Sequence, residues 1–246
     1  ALAAGNTIVV KPPLEAPLAI ALVVQCLHDA GLPAGVLADV PGALEAGTAI
    51  SSHPRIGMVT ATASTRTGQA IMRAAAGTMK RVSLELGGHS PFVVLPDADI
   101  RAAAAAAARR SFSNAGQICI AVNRILVADS IADEFVDAVA AEAEAIVLGH
   151  GIDPSVTGGP TTTRAVIETA QAHIADAVEN GARVLVGGKA PEGMDFQRGT
   201  FFQPTVLDHV GRQSRVMREE TFGPVVAVHR YNSETNVEGI AALAND

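Results

Sequence analysis

The chain has 246 residues, 48% hydrophobic and 17% charged, so it is long enough to bury a large core and to form two domains. Its formal net charge is −7, and no Lys/Arg cluster forms a basic stripe, which argues against nucleic acid as a partner. No apolar run reaches the roughly 20 residues that a membrane-spanning helix needs, so we predict no membrane partner.

Cysteine and histidine usage indicates a reduced protein without a metal centre. Cys26 and Cys119 cannot form a disulfide framework, and the opening sequence ALAAGNTIVV lacks the basic region of a signal peptide. We therefore predict a cytoplasmic location. The histidines are scattered without metal-ligand spacing, so we predict no metal site.

In the first part of the chain, β-branched runs alternate with helical stretches. We predict strands over 6–10, 36–40, 56–60 and 81–86, and helices over 15–30, 44–52 and 65–77. The sequence GLPAG at 31–35 ends the first helix, because glycine is favoured just past a helix and proline cannot continue it. Cys26 lies within that helix and is interpreted as a core residue. Alternation at this spacing is typical of βαβ units with a parallel sheet.

The diglycine Gly87-Gly88 interrupts this pattern and predicts a hinge between two domains. Beyond it the α/β pattern continues, with strands predicted over 91–95, 124–127 and 183–186 and helices over 132–147 and 164–180. Asp97 and Asp99 can cap a further helix that includes the alanine run 102–108. The chain is therefore predicted to be an α/β protein.

Cys119 is the candidate nucleophile. A cysteine between two isoleucines is most often a small buried hydrophobe, but the polar, turn-forming sequence SNAGQ at 113–117 precedes this one. We expect that turn to place Cys119 at the start of a helical turn, where the dipole and unsatisfied N–H groups favour a thiolate. A thiolate there is suited to covalent catalysis, and no protease-type His/Asp pattern lies nearby.

Glu85 is the candidate base that would activate water to release an acyl group from a cysteine. It lies near the end of the apolar sequence VSLELGG, and the two glycines after it allow close backbone approach. The alternative is a strand-end glutamate that faces solvent.

Several segments together resemble the aldehyde dehydrogenase superfamily: NTIVVKPP, AGLPAGV, MKRVSLELGGHSPFVVLPDADI, FSNAGQICIAVNRILV, FFQPTVLDHV and REETFGPVVAVHRY. The resemblance covers essentially the whole chain in the right order. It implies a partial Rossmann-like, parallel-sheet NAD(P)-binding domain over 1–87 and a partial α/β catalytic domain, truncated at its C-terminus, over 88–246. We expect an internal fragment of about half the family length, with homo-oligomers formed by the intact relatives.

The resemblance also implies a chemical role for the two candidate residues. Cys119 matches the nucleophile that attacks the aldehyde to give a thiohemiacetal, and its backbone N–H matches one oxyanion donor. Hydride transfer to the nicotinamide of NAD or NADP leaves a thioester. Glu85 matches the general base that activates water for hydrolysis of this thioester to the carboxylic acid.

Cofactor-binding residues follow from the same resemblance. Lys11 matches the lysine that binds the adenosine ribose, Glu220 the glutamate that holds the nicotinamide ribose, and Phe222 the ring beside the nicotinamide. The resemblance also implies that three further residues contact the cofactor: Ser64, Gly68 and Leu86.

Two positions depart from the family pattern. Ala63 stands where the family usually has glycine, and its methyl group limits backbone approach to a dinucleotide at a helix N-terminus. Leu14 stands where an acidic residue often accepts the ribose 2′-hydroxyl, and Glu15 could replace it only if the loop shifts. Losing that carboxylate removes repulsion of a 2′-phosphate, so we expect dual specificity with some NADP use.

The substrate and the activity of the chain itself stay open. The sequences AHIADAVENGARVLVGGK, FSNAGQIC and EETFGP look most like the succinate-semialdehyde dehydrogenase branch, with a broader aliphatic or aromatic aldehyde as the alternative. Arg110 and Arg124 are candidate carboxylate ligands, although surface solvation is the preferred interpretation of both. The rival functions are a catalytically silent fragment acting as a folding or interaction partner, and an acylating CoA- or phosphate-dependent enzyme, against which Glu85 argues.

Overall fold

The structure is a computed structural model that describes residues 1–193 and 196–245. The chain divides into two compact units, Ala1–Gly87 and Gly88–Asp246, with the division between two glycines. The assignment of the first unit to cofactor binding and of the second to thiol chemistry stays a prediction. Within the described residues, no helix is long and apolar enough to cross a bilayer.

The first unit contains two parallel strand pairs, each connected through helix, as the βαβ pattern predicts. Its elements are a 3-10 turn at Leu2–Ala4, β1 (Ile8–Val10), α1 (Pro17–Asp29), β2 (Leu37–Asp39), α2 (Leu44–Ser52), β3 (Met58–Thr62), α3 (Thr65–Ala76) and β4 (Arg81–Glu85). Strand β1 pairs with β2, and β3 pairs with β4. The third strand begins two residues later than predicted, because Ile56 N–H donates to His53 O in the preceding turn.

Helix α1 begins at Pro17, where the missing proline N–H costs no helical hydrogen bond. Val24 is buried, but Leu18 and Leu22 are 76% and 66% exposed. Cys26 is also exposed, so its interpretation as a core residue is wrong. The helix packs against β2 without covering the cysteine.

The second unit is built on a five-stranded sheet in the order β5-β6-β9-β8-β7, parallel except for the β7–β8 pair. Its elements are β5 (Ser90–Val94), α4 (Ile100–Phe112), β6 (Val122–Ala128), α5 (Ala132–Glu144), α6 (Arg164–Glu179), β7 (Arg183–Val186), β8 (Thr205–Asp208), α7 (Arg215–Arg218), β9 (Val225–Tyr231) and α8 (Val237–Asn245). The sheet and the alternation of elements confirm the predicted α/β class.

Side chains of the central strands alternate between two cores, one on each face of the sheet. Ile125 of β6 faces a core with α4 and α5, whereas Leu126 faces a core with α6 and α7. This two-sided burial is expected for a parallel sheet covered by helices. Asp99 caps α4 by accepting from Ala102 N–H at 3.0 Å. The buried alanines of that helix allow close packing on α5.

Candidate active site

The loop that carries Cys119 leaves α4 through a left-handed turn. Asn114 (φ 52°, ψ 35°) and Ala115 (φ 53°, ψ 36°) are followed by Gly116 at φ 71°. Gly116 is required sterically, since a β-carbon there would lie 2.1 Å from the carbonyl oxygen of Gly223. Left-handed backbone is costly for residues other than glycine, so tertiary packing must hold this turn.

Cys119 is exposed and is a free thiol. It lies in a turn that Ala121 N–H closes by donating to Ile118 O at 2.9 Å, and β6 begins directly afterwards. The predicted helical turn at Cys119 is therefore wrong, and the helix dipole gives no account of thiolate formation here. The left-handed turn before it directs the chain into a strand instead.

Gly88 contacts both Glu220 and the loop at 113–121 that carries Cys119, which is called the Cys119 loop below. A β-carbon on Gly88 would lie 2.8 Å from the Cys119 carbonyl oxygen, so only glycine allows this approach. The N–H of Gly88 donates to Glu220 Oε1 at 3.3 Å, and the Glu220 side chain is half-buried. Two of the predicted site residues, Cys119 and Glu220, thus both meet Gly88 within the second unit.

Phe222 follows Glu220 in a turn at 219–224 that reaches the same region. Its φ of 50° is left-handed, and its side chain is 41% exposed. Gly223 is buried, and its carbonyl oxygen is the atom that Gly116 approaches. The turn that bears Glu220 and Phe222 therefore packs directly on the Cys119 loop.

His173 lies beneath this turn, and sequence analysis did not identify it. Its side chain is buried, with Nδ1 hydrogen-bonded to the buried Thr221 hydroxyl at 2.9 Å. Nε2 lies 3.4 Å from Glu219 Oε2. Burial lowers the pKa of His173, with repulsion from Arg215 in the same direction and attraction to Glu219 opposing it. The sequence around His173 shows a single histidine in a helical stretch, which does not predict a contact with Thr221 or Glu219.

His89 supports the neighbouring helix α7. Its Nε2 is hydrogen-bonded to Val216 O at 3.1 Å, while the buried Nδ1 has no hydrogen-bond partner among the described residues. Burial, together with repulsion from Arg124, lowers the pKa of His89 to about 4. The imidazole is therefore neutral at physiological pH and acts as a structural group.

Arg124 is half-buried, which corrects its interpretation as a solvated surface cation. Its Nε donates to His89 O at 3.2 Å and its Nη2 to Ala244 O at 2.7 Å. Arg124 thus binds one carbonyl at the end of α8, as cations near helix C-termini commonly do, and one directly before β5. Arg110, in the last turn of α4, is exposed.

In the first unit, Glu85 ends β4 with an exposed side chain. Its register partner on β3 is Thr62, and its carbonyl oxygen accepts from Ala63 N–H at 3.0 Å. This places Ala63 immediately after the strand pair. The role of Glu85 as a base stays a prediction.

Ser64 is the N-cap of α3, and its hydroxyl accepts from Thr67 N–H at 3.3 Å. Gly68, in the first turn of that helix, is buried, and a β-carbon there would lie 2.6 Å from Leu86 Cδ2. Gly68 and Leu86 therefore have a packing role that is independent of any cofactor. Lys11 is half-buried, with Nζ donating to Pro12 O at 2.9 Å.

Among the described residues, no group of three or more His, Cys, Asp or Glu side chains could hold a metal ion.

Comparisons with known proteins place this arrangement in one family. The chain is 40% identical over 247 residues to the succinate-semialdehyde dehydrogenase GabD of Escherichia coli (strain K12), whose name specifies NADP(+), covering 100% of the chain and 50% of that protein. It is 40% identical over 242 residues to 3-sulfolactaldehyde dehydrogenase of Pseudomonas putida, covering 98% of the chain and 49% of that protein. The chain thus spans about half the length of these curated relatives.

Solved structures give the same result. A 3,6-anhydro-L-galactose dehydrogenase in complex with NAP matches with a TM-score of 0.96 and 41% identity, over 100% of this chain and 51% of that one. Betaine aldehyde dehydrogenase from Staphylococcus aureus in complex with NAD+ matches with a TM-score of 0.95 and 35% identity, over 100% and 48%. The aldehyde dehydrogenase family model matches residues 1–246. The chain therefore belongs to the aldehyde dehydrogenase family.

Proposed function

We propose that this chain carries the nucleophile and part of the cofactor site of an enzyme that oxidises an aldehyde to a carboxylic acid. The observation that carries the proposal is Cys119, an exposed thiol on a loop whose carbonyl meets Gly88, the residue that also binds Glu220. Such close backbone contacts fix a nucleophile in one position, which covalent catalysis requires.

In the proposed reaction, the Cys119 sulfur attacks the aldehyde carbon, and the negative charge that develops on oxygen is stabilised by the Cys119 backbone N–H. One such donor is worth about a hundredfold or more in rate. A bound nicotinamide dinucleotide would supply the hydride acceptor. Glu85 is proposed to take a proton from the water that attacks the resulting thioester, which releases the acid and restores the thiolate.

The residues proposed to hold the dinucleotide fit its chemistry. Helix α3 follows β3 of a parallel pair and is capped by Ser64, an arrangement suited to a phosphate at a helix N-terminus. The Glu220 carboxylate can accept from ribose hydroxyls, and the exposed ring of Phe222 offers an apolar surface. The further residues proposed for cofactor binding are Lys11, Gly68 and Leu86.

Both NAD and NADP are proposed as cofactors. Leu14 is 60% exposed and brings no carboxylate to the position three residues after Lys11, so this side chain does not repel a 2′-phosphate. The relatives support this, because one is named for NADP(+) and another binds NAD+ in its crystal structure. A strong NAD preference that survives Glu15→Ala would contradict this part of the proposal.

Succinic semialdehyde is the first substrate to test. Relatives named for succinate semialdehyde and glutarate semialdehyde support an aldehyde with a remote carboxylate. Arg124 is removed as a candidate ligand, since its guanidinium binds backbone carbonyls, and the exposed Arg110 is retained. A simple aliphatic aldehyde serves as the comparison substrate.

The test is aldehyde-dependent formation of NADH or NADPH by the purified chain, with Cys119→Ala as the decisive variant. Cys26→Ser is the matched control, because Cys26 is also an exposed free thiol. Any turnover by the chain should be abolished by Cys119→Ala and left unchanged by Cys26→Ser. Turnover that persists in Cys119→Ala contradicts the proposal. Formation of acyl-CoA from aldehyde and CoA would show that the thioester is released by transfer to CoA, and it would contradict the proposed hydrolysis by Glu85 and water.

A catalytically silent fragment that acts as a folding or interaction partner is the second candidate. Exposed apolar side chains in the first unit favour it, notably Leu18, Leu22 and Met79, the last 91% exposed. Strong binding of an apolar dye together with a broad unfolding transition, and no turnover with either cofactor, would support this candidate over the enzyme.

A further inference from the structure

We infer that Gln117 is a positioning residue for Cys119, acting by tying the left-handed turn to the segment at 161–162. The inference rests on the proposed function in one point, because it takes Cys119 to be the nucleophile. The hydrogen bonds of the turn do not depend on that role.

Gln117 is buried, and both ends of its amide are used. Its Nε2 donates to Asn114 O at 2.9 Å, and its Oε1 accepts from Thr162 N–H at 2.8 Å. Its backbone N–H also donates to Asn114 O at 3.1 Å, and Asn114 Nδ2 returns a bond to Gln117 O at 3.2 Å. Asn114 and Gln117 are thus joined by three hydrogen bonds across a turn of three left-handed residues.

The left-handed turn needs this support. Asn114 and Ala115 both have positive φ, and Ala115 has no polar side chain with which to stabilise that conformation locally. Residues held in this region persist only when their surroundings over-determine them. Removal of the Gln117 amide would leave Thr162 N–H without this acceptor and would leave Asn114 O with the Gln117 backbone N–H as its donor in the turn. The turn would then be free to relax.

The segment that Gln117 binds is itself anchored. Thr161 is buried, and both its N–H and its hydroxyl donate to Thr200 O at 2.8 Å, while the Thr200 hydroxyl donates back to Thr161 O. Thr162 N–H therefore offers Gln117 a fixed donor. The Gln117 side chain connects the left-handed turn to a segment that is held by other hydrogen bonds.

The position of Cys119 depends on the turn because only one residue, Ile118, separates it from Gln117. Ala121 N–H donates to Ile118 O and closes the turn that contains Cys119, yet Ala121 makes no hydrogen bond to Gln117 among those described. Exchange of the Ala121 amide hydrogen therefore reports on the Cys119 turn rather than on the loss of a direct contact. Thr162, in contrast, reports on the direct contact alone.

The experiment compares Gln117→Met with the wild-type chain in a Cys26→Ser background, by amide hydrogen exchange in NMR. Methionine keeps the length of the side chain and removes both hydrogen bonds. Gln171→Met is the matched control, because Gln171 is an exposed glutamine in the same unit. We expect Ala121 to exchange about tenfold faster in Gln117→Met, the factor for loss of one or two net hydrogen bonds, and to be unchanged in the control.

A chemical readout accompanies the exchange measurement and needs neither aldehyde nor cofactor. The Cys119 thiolate attacks p-nitrophenyl acetate, forming an S–acetyl bond while p-nitrophenolate leaves, so one equivalent of p-nitrophenolate per chain reports the acylation rate. We expect this rate to fall about tenfold in Gln117→Met with the melting temperature of the second unit retained. Gln117→Glu keeps the acceptor for Thr162 N–H, so it should recover part of both losses.

Faster exchange at Thr162 alone, with Ala121 and the acylation rate within about twofold of wild type, overturns the inference and leaves Gln117 a local contact. If Gln117→Met fails to fold, Gln117→Glu decides by the same two readouts. Failure of aldehyde turnover in the wild-type chain bears on the proposed function only, because neither readout depends on it.

Discussion

Gly88 and Cys119 approach each other so closely that a β-carbon on Gly88 would lie 2.8 Å from the Cys119 carbonyl oxygen. The atom in the way is backbone, which cannot rotate aside as a side chain can. The same Gly88 donates its N–H to Glu220, so one glycine links the proposed nucleophile to the proposed ribose ligand. The contact explains why the diglycine matters at this point of the chain.

Gly88→Ala should therefore displace the Cys119 loop and destabilise the second unit by about 1–3 kcal/mol, the usual cost of overpacking. The free energy of unfolding from denaturant titration measures this. Gly159→Ala is the matched control, since nothing lies within 4 Å of its β-carbon position and its φ is not left-handed. Equal stability of the two variants would show that the loop yields without cost.

Stability should fall as the solution is acidified from pH 6.5 toward pH 4, partly because of His89. The pKa of His89 is lowered from 6.5 to about 4, chiefly by burial. Between these values the unfolded chain binds a proton that the folded chain does not, so the folded state loses stability as pH falls. The shift corresponds to at most about 3 kcal/mol, reduced by partial solvent exposure.

The measurement compares free energies of unfolding at neutral pH and near pH 4 for wild type and His89→Gln. Glutamine can still donate to Val216 O but does not titrate, so the pH dependence should be smaller in the variant. His150→Gln, at an exposed histidine, should keep the wild-type slope. An unchanged slope in His89→Gln would contradict the assignment.

Arg230→Ala should destabilise the second unit by about 3–5 kcal/mol. Arg230 donates to both carboxylate oxygens of Asp208, at 3.1 and 2.7 Å, and to Asp133 at 2.6 Å. The Asp208 side chain is only 5% exposed, so the variant leaves a buried carboxylate without its guanidinium partner, while His209 N–H still donates to it at 2.7 Å. Chemical denaturation provides the free energy of unfolding.

The comparison for that variant is Lys189→Ala, which breaks an exposed ion pair with Glu192 at 2.7 Å. Exposed pairs contribute about 0–1 kcal/mol, so this change should be nearly silent. Similar effects of the two substitutions would mean that burial of Asp208 is not what makes Arg230 important.

Leu14→Glu should shift cofactor preference toward NAD. It restores a carboxylate three residues after Lys11, and repulsion of a 2′-phosphate should lower the kcat/KM ratio of NADP to NAD by about tenfold. Leu18→Glu, at another exposed leucine, is the control for added charge. The ratio is measured with one aldehyde at fixed ionic strength, and a ratio that stays constant in Leu14→Glu would exclude this position from 2′-phosphate discrimination.

Much of the fold follows from local sequence because local physics determines it. Helix α2 has its predicted bounds, Leu44–Ser52, and β7 has its predicted bounds, Arg183–Val186. The cap of α4 is one of the two aspartates predicted for it. Hydrophobic periodicity and capping residues act over a few positions, so they can be identified without a structure. The family motifs likewise indicated Cys119 and Glu220.

Tertiary structure decided the properties that depend on distant partners. Cys119 lies in a turn instead of a helix because Gly223, more than 100 positions away, packs against Gly116 and holds a left-handed backbone. Arg124 was interpreted as a surface cation because its partner Ala244 lies 120 positions along the chain. Burial, hydrogen-bond partners and positive φ at non-glycine residues are set by packing between elements, which local periodicity does not encode.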